Sequence, residues 1–194
     1  MSYTEIYGFG ESGKVEFYAE IKNAFRGAMA VWRYLEEKYL PSLPKPLWAT
    51  SEENEYWSRT TQIFEENSMS EIWGLFKTND ISDCEKIVLG TTFDRVIVEG
   101  KNVQKLLEAF RSFEGNTSLK EQAEAIKSML KEGNVIAIGF NQTSVNGDTW
   151  ANYHYNEEKE ERESYNILES KDHWFLFEEL ARQDAEPDKA RHCI

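Results

Sequence analysis

The chain of 194 residues has little of the material from which familiar sites are built. Its two cysteines, Cys84 and Cys193, form no Cys-x-x-Cys spacing. They imply free thiols in a reducing compartment rather than a disulfide framework. There are three histidines, His154, His173 and His192, with neither His-Glu-x-x-His nor paired Cys/His spacing, so a zinc site has no support. A Cys84 nucleophile paired with His154 or His173 would have to form in space, and nothing beyond the residue types recommends it. Gly8, Gly10 and Gly13 match neither the dinucleotide fingerprint nor the P-loop, and no Gly-x-Ser-x-Gly elbow occurs. No apolar run approaches the roughly 20 residues that span a bilayer. The opening residues MSYTEIYGFG lack the basic region and apolar stretch of a secretory signal, so a cytoplasmic protein is expected.

Positive charge is also scarce. Lys and Arg number 22 against 35 Asp and Glu, for a net charge of −13. That balance argues against direct nucleic-acid binding, which uses Lys and Arg to neutralise phosphates, and against anionic membrane surfaces. It suits a partner with a basic surface, whose approach the field would steer. The commoner role of such acidity is solubility.

What is present suffices for a sizeable core: 40% of residues are hydrophobic and 13% aromatic. The length and pattern predict one α+β domain over residues 1–180, with a mixed or antiparallel sheet and several packed helices. Residues 181–194 are polar, hold Pro187 and are expected to form a flexible tail.

Tyr3 to Phe9 and Lys14 to Ile21 read as a β-hairpin, with Val15, Phe17 and Ala19 alternating against Glu16, Tyr18 and Glu20. A helix is expected from Ala24 to Leu40, capped by Asn23 and burying Ala28, Val31, Trp32, Leu35 and Tyr39. Leu43 to Thr50 reads as a connector, Ser51 to Glu66 as a helix and Ser70 to Lys77 as a shorter one. Ser82 and Glu85 have capping-box spacing. Gly90 to Asp94 is a loop in which Thr91, Thr92 and Asp94 either cap backbone groups or hold a ribose or metal; one carboxylate with two hydroxyls favours capping. A strand over Arg95 to Glu99, helices over Val103 to Phe113 (capped by Asn102) and Leu119 to Lys131 (opened by a Ser118/Glu121 box), and a second strand follow. The glutamate-rich run Asn156 to Ser164 reads as an exposed loop or hairpin tip, and His173 to Phe177 as a terminal element sealing the core.

The stretch that stands out is Val135 to Trp150. Val135 to Phe140 is a β-branched apolar run typical of a strand buried on both faces. Asn141, Gln142, Thr143 and Ser144 then present uncharged donors and acceptors. Asn146-Gly147 signals a hairpin turn, with Thr149, Trp150, Tyr153 and Tyr155 available as a returning strand. Polar side chains at the end of a buried strand can line a ligand cleft; the commoner role is to satisfy loop backbone groups. A second candidate is Arg26 with Gly27, in the first turn of the first helix. Free N–H groups there attract anions, although a surface Arg paired with a carboxylate is the more ordinary outcome.

Three stretches, NAFRGAMAVW (23–32), TTFDRVIV (91–98) and the segment from FNQTSVN (140–146) to Trp150, resemble small accessory proteins of phages and prophages of Gram-positive bacteria. The resemblance implies action against host defence in the host cytoplasm, by binding a defence protein or by sequestering a nucleotide-derived signal. A signal pocket would draw on Asn141, Gln142, Ser144 and Asn146 for hydrogen bonds, Trp150 as a platform and Arg26 for phosphate. No catalytic residue, metal ligand or cofactor is expected. The alternatives are a small enzyme on a nucleotide-like metabolite, or an assembly protein forming homo-oligomers through aromatic surface.

Overall fold

A computed structural model describes residues 3–22, 27–40, 66–116, 118–143, 150 and 153–185, without the side chains of 66–69 and 154. Strands β1 (Tyr3–Phe9) and β2 (Val15–Lys22) form the predicted hairpin, closed at Gly13, whose φ of 73° suits glycine. Helices α1 (Gly27–Tyr39), α2 (Glu66–Lys77) and α3 (Asp83–Gly90) follow. Then come β3 (Val96–Glu99), α4 (Val103–Ser112), α5 (Ser118–Glu132) and β4 (Ala137–Gln142). A ribbon of β5 (Tyr153–Asn156) and β6 (Glu161–Ser164) leads to β7 (Trp174–Phe175) and α6 (Leu176–Ala185).

The sheet order is β2-β1-β4-β3-β7, antiparallel except for the parallel β3–β7 edge. This is the expected α+β architecture with a mixed sheet. Its main core holds Ile6, Ile138 and Phe140 from the strands against Val31, Leu35, Leu106, Phe110 and Ile126 from the helices. Each such side chain contributes about 1.5–3 kcal/mol by leaving water. A smaller core lies on the other face of the sheet, where Phe9, Ile97 and Ala137 meet Trp150 and Ile167. The strands alternate between the two: even-numbered residues of β1 and β4 face the helices, odd-numbered ones the second layer.

The hairpin departs from simple alternation. Ile6 pairs with Ala19 but Tyr7 with Phe17, so Tyr18 is an extra, bulged residue. A one-residue bulge reverses facing. Val15 and Phe17 therefore lie on the side of Tyr7, while Ala19 and Ile21 join the main core.

Several local expectations are met. The Ser82/Glu85 capping box is complete, and the Thr91 and Thr92 hydroxyls donate to the Val88 and Leu89 carbonyls at 2.7 and 2.6 Å. Others are corrected. Asn102 does not cap α4 with its side chain, because a 3-10 turn over Gly100–Asn102 already starts the helix; its amide donates to Glu99 Oε2 at 3.1 Å. Ser118 is the first residue of α5, and its N–H donates to Asn116 Oδ1 at 2.9 Å. Tyr153 and Tyr155 do not return beside β4, whose neighbours are β1 and β3; they pair with β6. Residues 181–185 continue α6 rather than fraying. The expected connector at 43–50, the 51–65 portion of the second helix, the Asn146-Gly147 turn and residues 186–194 lie outside the described residues. No helix among the described residues is long and apolar enough to cross a membrane.

Candidate functional site

Strand β4 runs on past its apolar part because Thr4 and Glu5 of β1 keep pairing with Gln142 and Asn141. The two polar residues consequently point to opposite faces, and each enters a different network.

Gln142 is buried on the helical side. Its Oε1 accepts from Thr4 Oγ1 at 2.7 Å, and Gln122 Nε2 donates to Thr4 Oγ1 at 3.3 Å and to Ser118 Oγ at 3.2 Å. Ser118 Oγ donates to Asn116 Oδ1 at 2.8 Å, and Asn116 Nδ2 donates to the Gly27 carbonyl at 3.0 Å. This polar spine ties β4, β1, α5 and the start of α1 together. Gln122 Oε1 is buried within it without a donor.

Asn141 is half-buried on the other face. Its Nδ2 donates to Glu5 Oε2 at 2.7 Å, and Tyr7 Oη donates to the same oxygen at 2.9 Å. Burial, and then the Glu5 hydrogen bond and charge, push the Tyr7 phenol up to about 12, so it stays a donor at neutral pH. The carboxylate can only accept, so it requires the NH2 end of the Asn141 amide to face it. Asn141 Oδ1 is thereby left buried with no hydrogen-bond partner. An orphaned acceptor of this kind costs about 1–3 kcal/mol.

Trp150 lies on the Asn141 side of the sheet, as a packing residue. Its Nε1 donates to the Phe140 carbonyl at 2.9 Å, and its ring meets Phe9, Tyr7 and His173. With 6% of its surface exposed, it offers no open face to a base. Gly139 makes the close approach possible: a Cβ there would lie 2.7 Å from the Phe9 ring and 2.9 Å from the Trp150 ring. Thr143 bonds the first strand, accepting from Tyr3 N at 2.8 Å and donating to its carbonyl at 3.2 Å. Arg26, Ser144 and Asn146 lie outside the described residues. Of the six residues expected to form one site, Asn141 and Trp150 thus share a face and Gln142 is on the other.

The Cys84 thiol donates to the Ala109 carbonyl at 3.3 Å, and burial pushes its pKa up, away from the reactive thiolate. It packs against the main core, whereas His173 lies against Trp150 in the second layer. No cluster of three or more His, Cys, Asp or Glu suited to a metal ion is found among the described residues. Shallow grooves flank Tyr165 and Asn166, one of about 390 Å³ reaching Ser12 and Lys14, the other of about 320 Å³ reaching Glu169 and Asp172. Asn166 is committed in both directions, accepting from Leu168 N and donating to Glu169, at 3.0 Å each.

Sequence reasoning missed Glu5 and Tyr7. The period-two run Glu5, Tyr7, Phe9 in the first strand was the available signal, since it sets a carboxylate and a phenol on one face. Comparison with protein-family models, with curated proteins and with solved structures finds no match. Fold and site define an α+β protein with a half-buried cluster of Glu5, Tyr7 and Asn141 on the face of its sheet opposite the helices.

Proposed function

We propose that this protein is a non-catalytic, phage-type accessory protein that counters host defence by binding a defence protein through a basic surface. The observation that carries the binding reading is the half-buried Glu5 carboxylate on the outer face of the sheet, held by the Asn141 amide and the Tyr7 phenol and making no ion pair with any described residue. A carboxylate without a cation calls for a positively charged donor, and a guanidinium or ammonium from a partner supplies both donors and charge. The net charge of −13 favours the approach of such a partner. The host-defence context rests on the resemblance of residues 23–32, 91–98 and 140–150 to phage accessory proteins. A nucleotide-derived signal fits this cluster less well, because a phosphate would meet Glu5 and because the Trp150 ring is enclosed.

The test is an NMR titration of isotope-labelled protein with an arginine dipeptide mimic, N-acetyl-arginine methylamide. The expected result is a saturable shift of the Asn141 side-chain amide signals that Glu5→Gln weakens. Titration with a mononucleotide should leave those signals in place. Unmoved signals with the arginine compound would overturn the assignment of the site.

A further inference from the structure

The β5–β6 ribbon pairs with no other strand among the described residues. Its register sets Tyr153 opposite Ser164 and Tyr155 opposite Arg162, so Tyr153, Tyr155 and Arg162 share one face. The Arg162 guanidinium already lies over the Tyr153 ring, 4.8 Å from its centroid. Among the described residues Tyr155 is the most exposed large hydrophobic residue, at 59%, and no described ring or cation covers it. At the ribbon's end, Glu157, Glu158, Glu160 and Glu161 are exposed and make no ion pair with any described residue. Lys159 is occupied by Glu163, at 2.6 Å.

We propose that this ribbon is a docking surface for an arginine-rich segment of a protein partner, with Tyr155 taking a guanidinium on its face and the turn glutamates neutralising the remaining charge. Charge complementarity selects the occupant. An anionic partner would face four unpaired carboxylates, and a purely apolar one would leave them and Arg162 stranded. The ring beside Tyr155 shows the contact in place, because Tyr153 holds a guanidinium from its own chain. Arginine is preferred to lysine, since a planar, weakly hydrated cation stacks on a ring where an ammonium stays hydrated. This surface is separate from the Glu5–Asn141 cluster, and either assignment can fail without the other.

The experiment is fluorescence anisotropy of the full chain with a short labelled peptide alternating Arg and Gly, and with its Lys-Gly counterpart of equal charge. The Arg peptide should bind more tightly, and Tyr155→Ala should weaken it by about threefold to fivefold, the worth of one exposed cation–π contact. Tyr155→Phe keeps the ring and should bind like the parent. Equal binding of the two peptides, or an unchanged affinity in Tyr155→Ala, would overturn the proposal by showing that net charge alone is read. Loss of binding in Asn141→Leu but not in Tyr155→Ala would place the site at the sheet instead.

Discussion

Asn141 and Gln142 are neighbours in the chain and strangers in the fold: one donates to Glu5 on the outer face of the sheet, the other accepts from Thr4 beneath the helices. Truncating each should expose the difference. Gln142→Ala removes a buried side chain and the acceptor of the Thr4 Oγ1 hydrogen bond, which should cost about 2–4 kcal/mol in urea unfolding. Asn141→Ala loses one bond but also removes an orphaned carbonyl, and should cost less than about 1 kcal/mol. Equal costs would contradict the placement of the two side chains.

Gln122 offers the opposite kind of test. Its amide makes two long bonds and carries one unmatched oxygen in a buried setting. The Thr4 and Ser118 hydroxyls already donate elsewhere, so losing Gln122 orphans no hydrogen. Gln122→Met, similar in volume, should leave stability unchanged or raise it by up to about 1 kcal/mol. A marked loss on thermal unfolding would mean that the oxygen has a partner, such as an ordered water.

Gly139 is required by its neighbours rather than by its backbone angle. Gly139→Ala would press a methyl group between the Phe9 and Trp150 rings, at a cost of about 1–3 kcal/mol. Displacing Trp150 would expose its indole, so the emission spectrum should move to the red together with the loss of stability.

Glu85 should govern the acid limb of the stability profile. Burial alone would raise its pKa, but hydrogen bonds from Lys38 at 2.7 Å, from Ser82 and from Tyr39 prevail and hold it at about 2. A carboxylate depressed in the folded state stabilises the protein above its unfolded pKa of about 4.3, and that contribution disappears as the pH falls towards 2. Glu85→Gln should be less stable at neutral pH by about 1–3 kcal/mol. Its stability should also fall less between pH 4.5 and pH 2 than that of the parent, as followed by circular dichroism.

The ribbon turn contains a residue under mild strain. Glu160 sits at φ 54°, where a side chain is disfavoured. Glu160→Gly should cost nothing or raise stability by up to about 1 kcal/mol, read as protection of the ribbon amides in hydrogen exchange.

Residue spacing disclosed much of this fold. The apolar stripes of α1, α4 and α5, the Ser82/Glu85 box and the glutamate-rich hairpin tip follow from local pattern, which needs only neighbours in the chain. The candidate site was less legible. The side on which Asn141 falls is set by its register with Glu5, a residue 136 positions away. The bulge at Tyr18 has no turn residue to announce it, and it reverses the facing of half a strand. The second core joins Phe9 to Trp150 and Ile167, whose common face exists only once the strands have been ordered.

The pairing of β1 with β4 also sets a schedule. The opening strand bonds a partner whose last contact, Thr143, is 140 residues further on. During synthesis the β1–β2 hairpin is consequently two of the sheet's five strands, with one edge waiting until β4 has been made. Folding that must close so long a loop is slow relative to local helix formation. Lys14, Glu16, Glu20 and Lys22, together with the bulge, guard the hairpin's other edge over that interval, so the nascent chain can wait for its partner without pairing with a stranger.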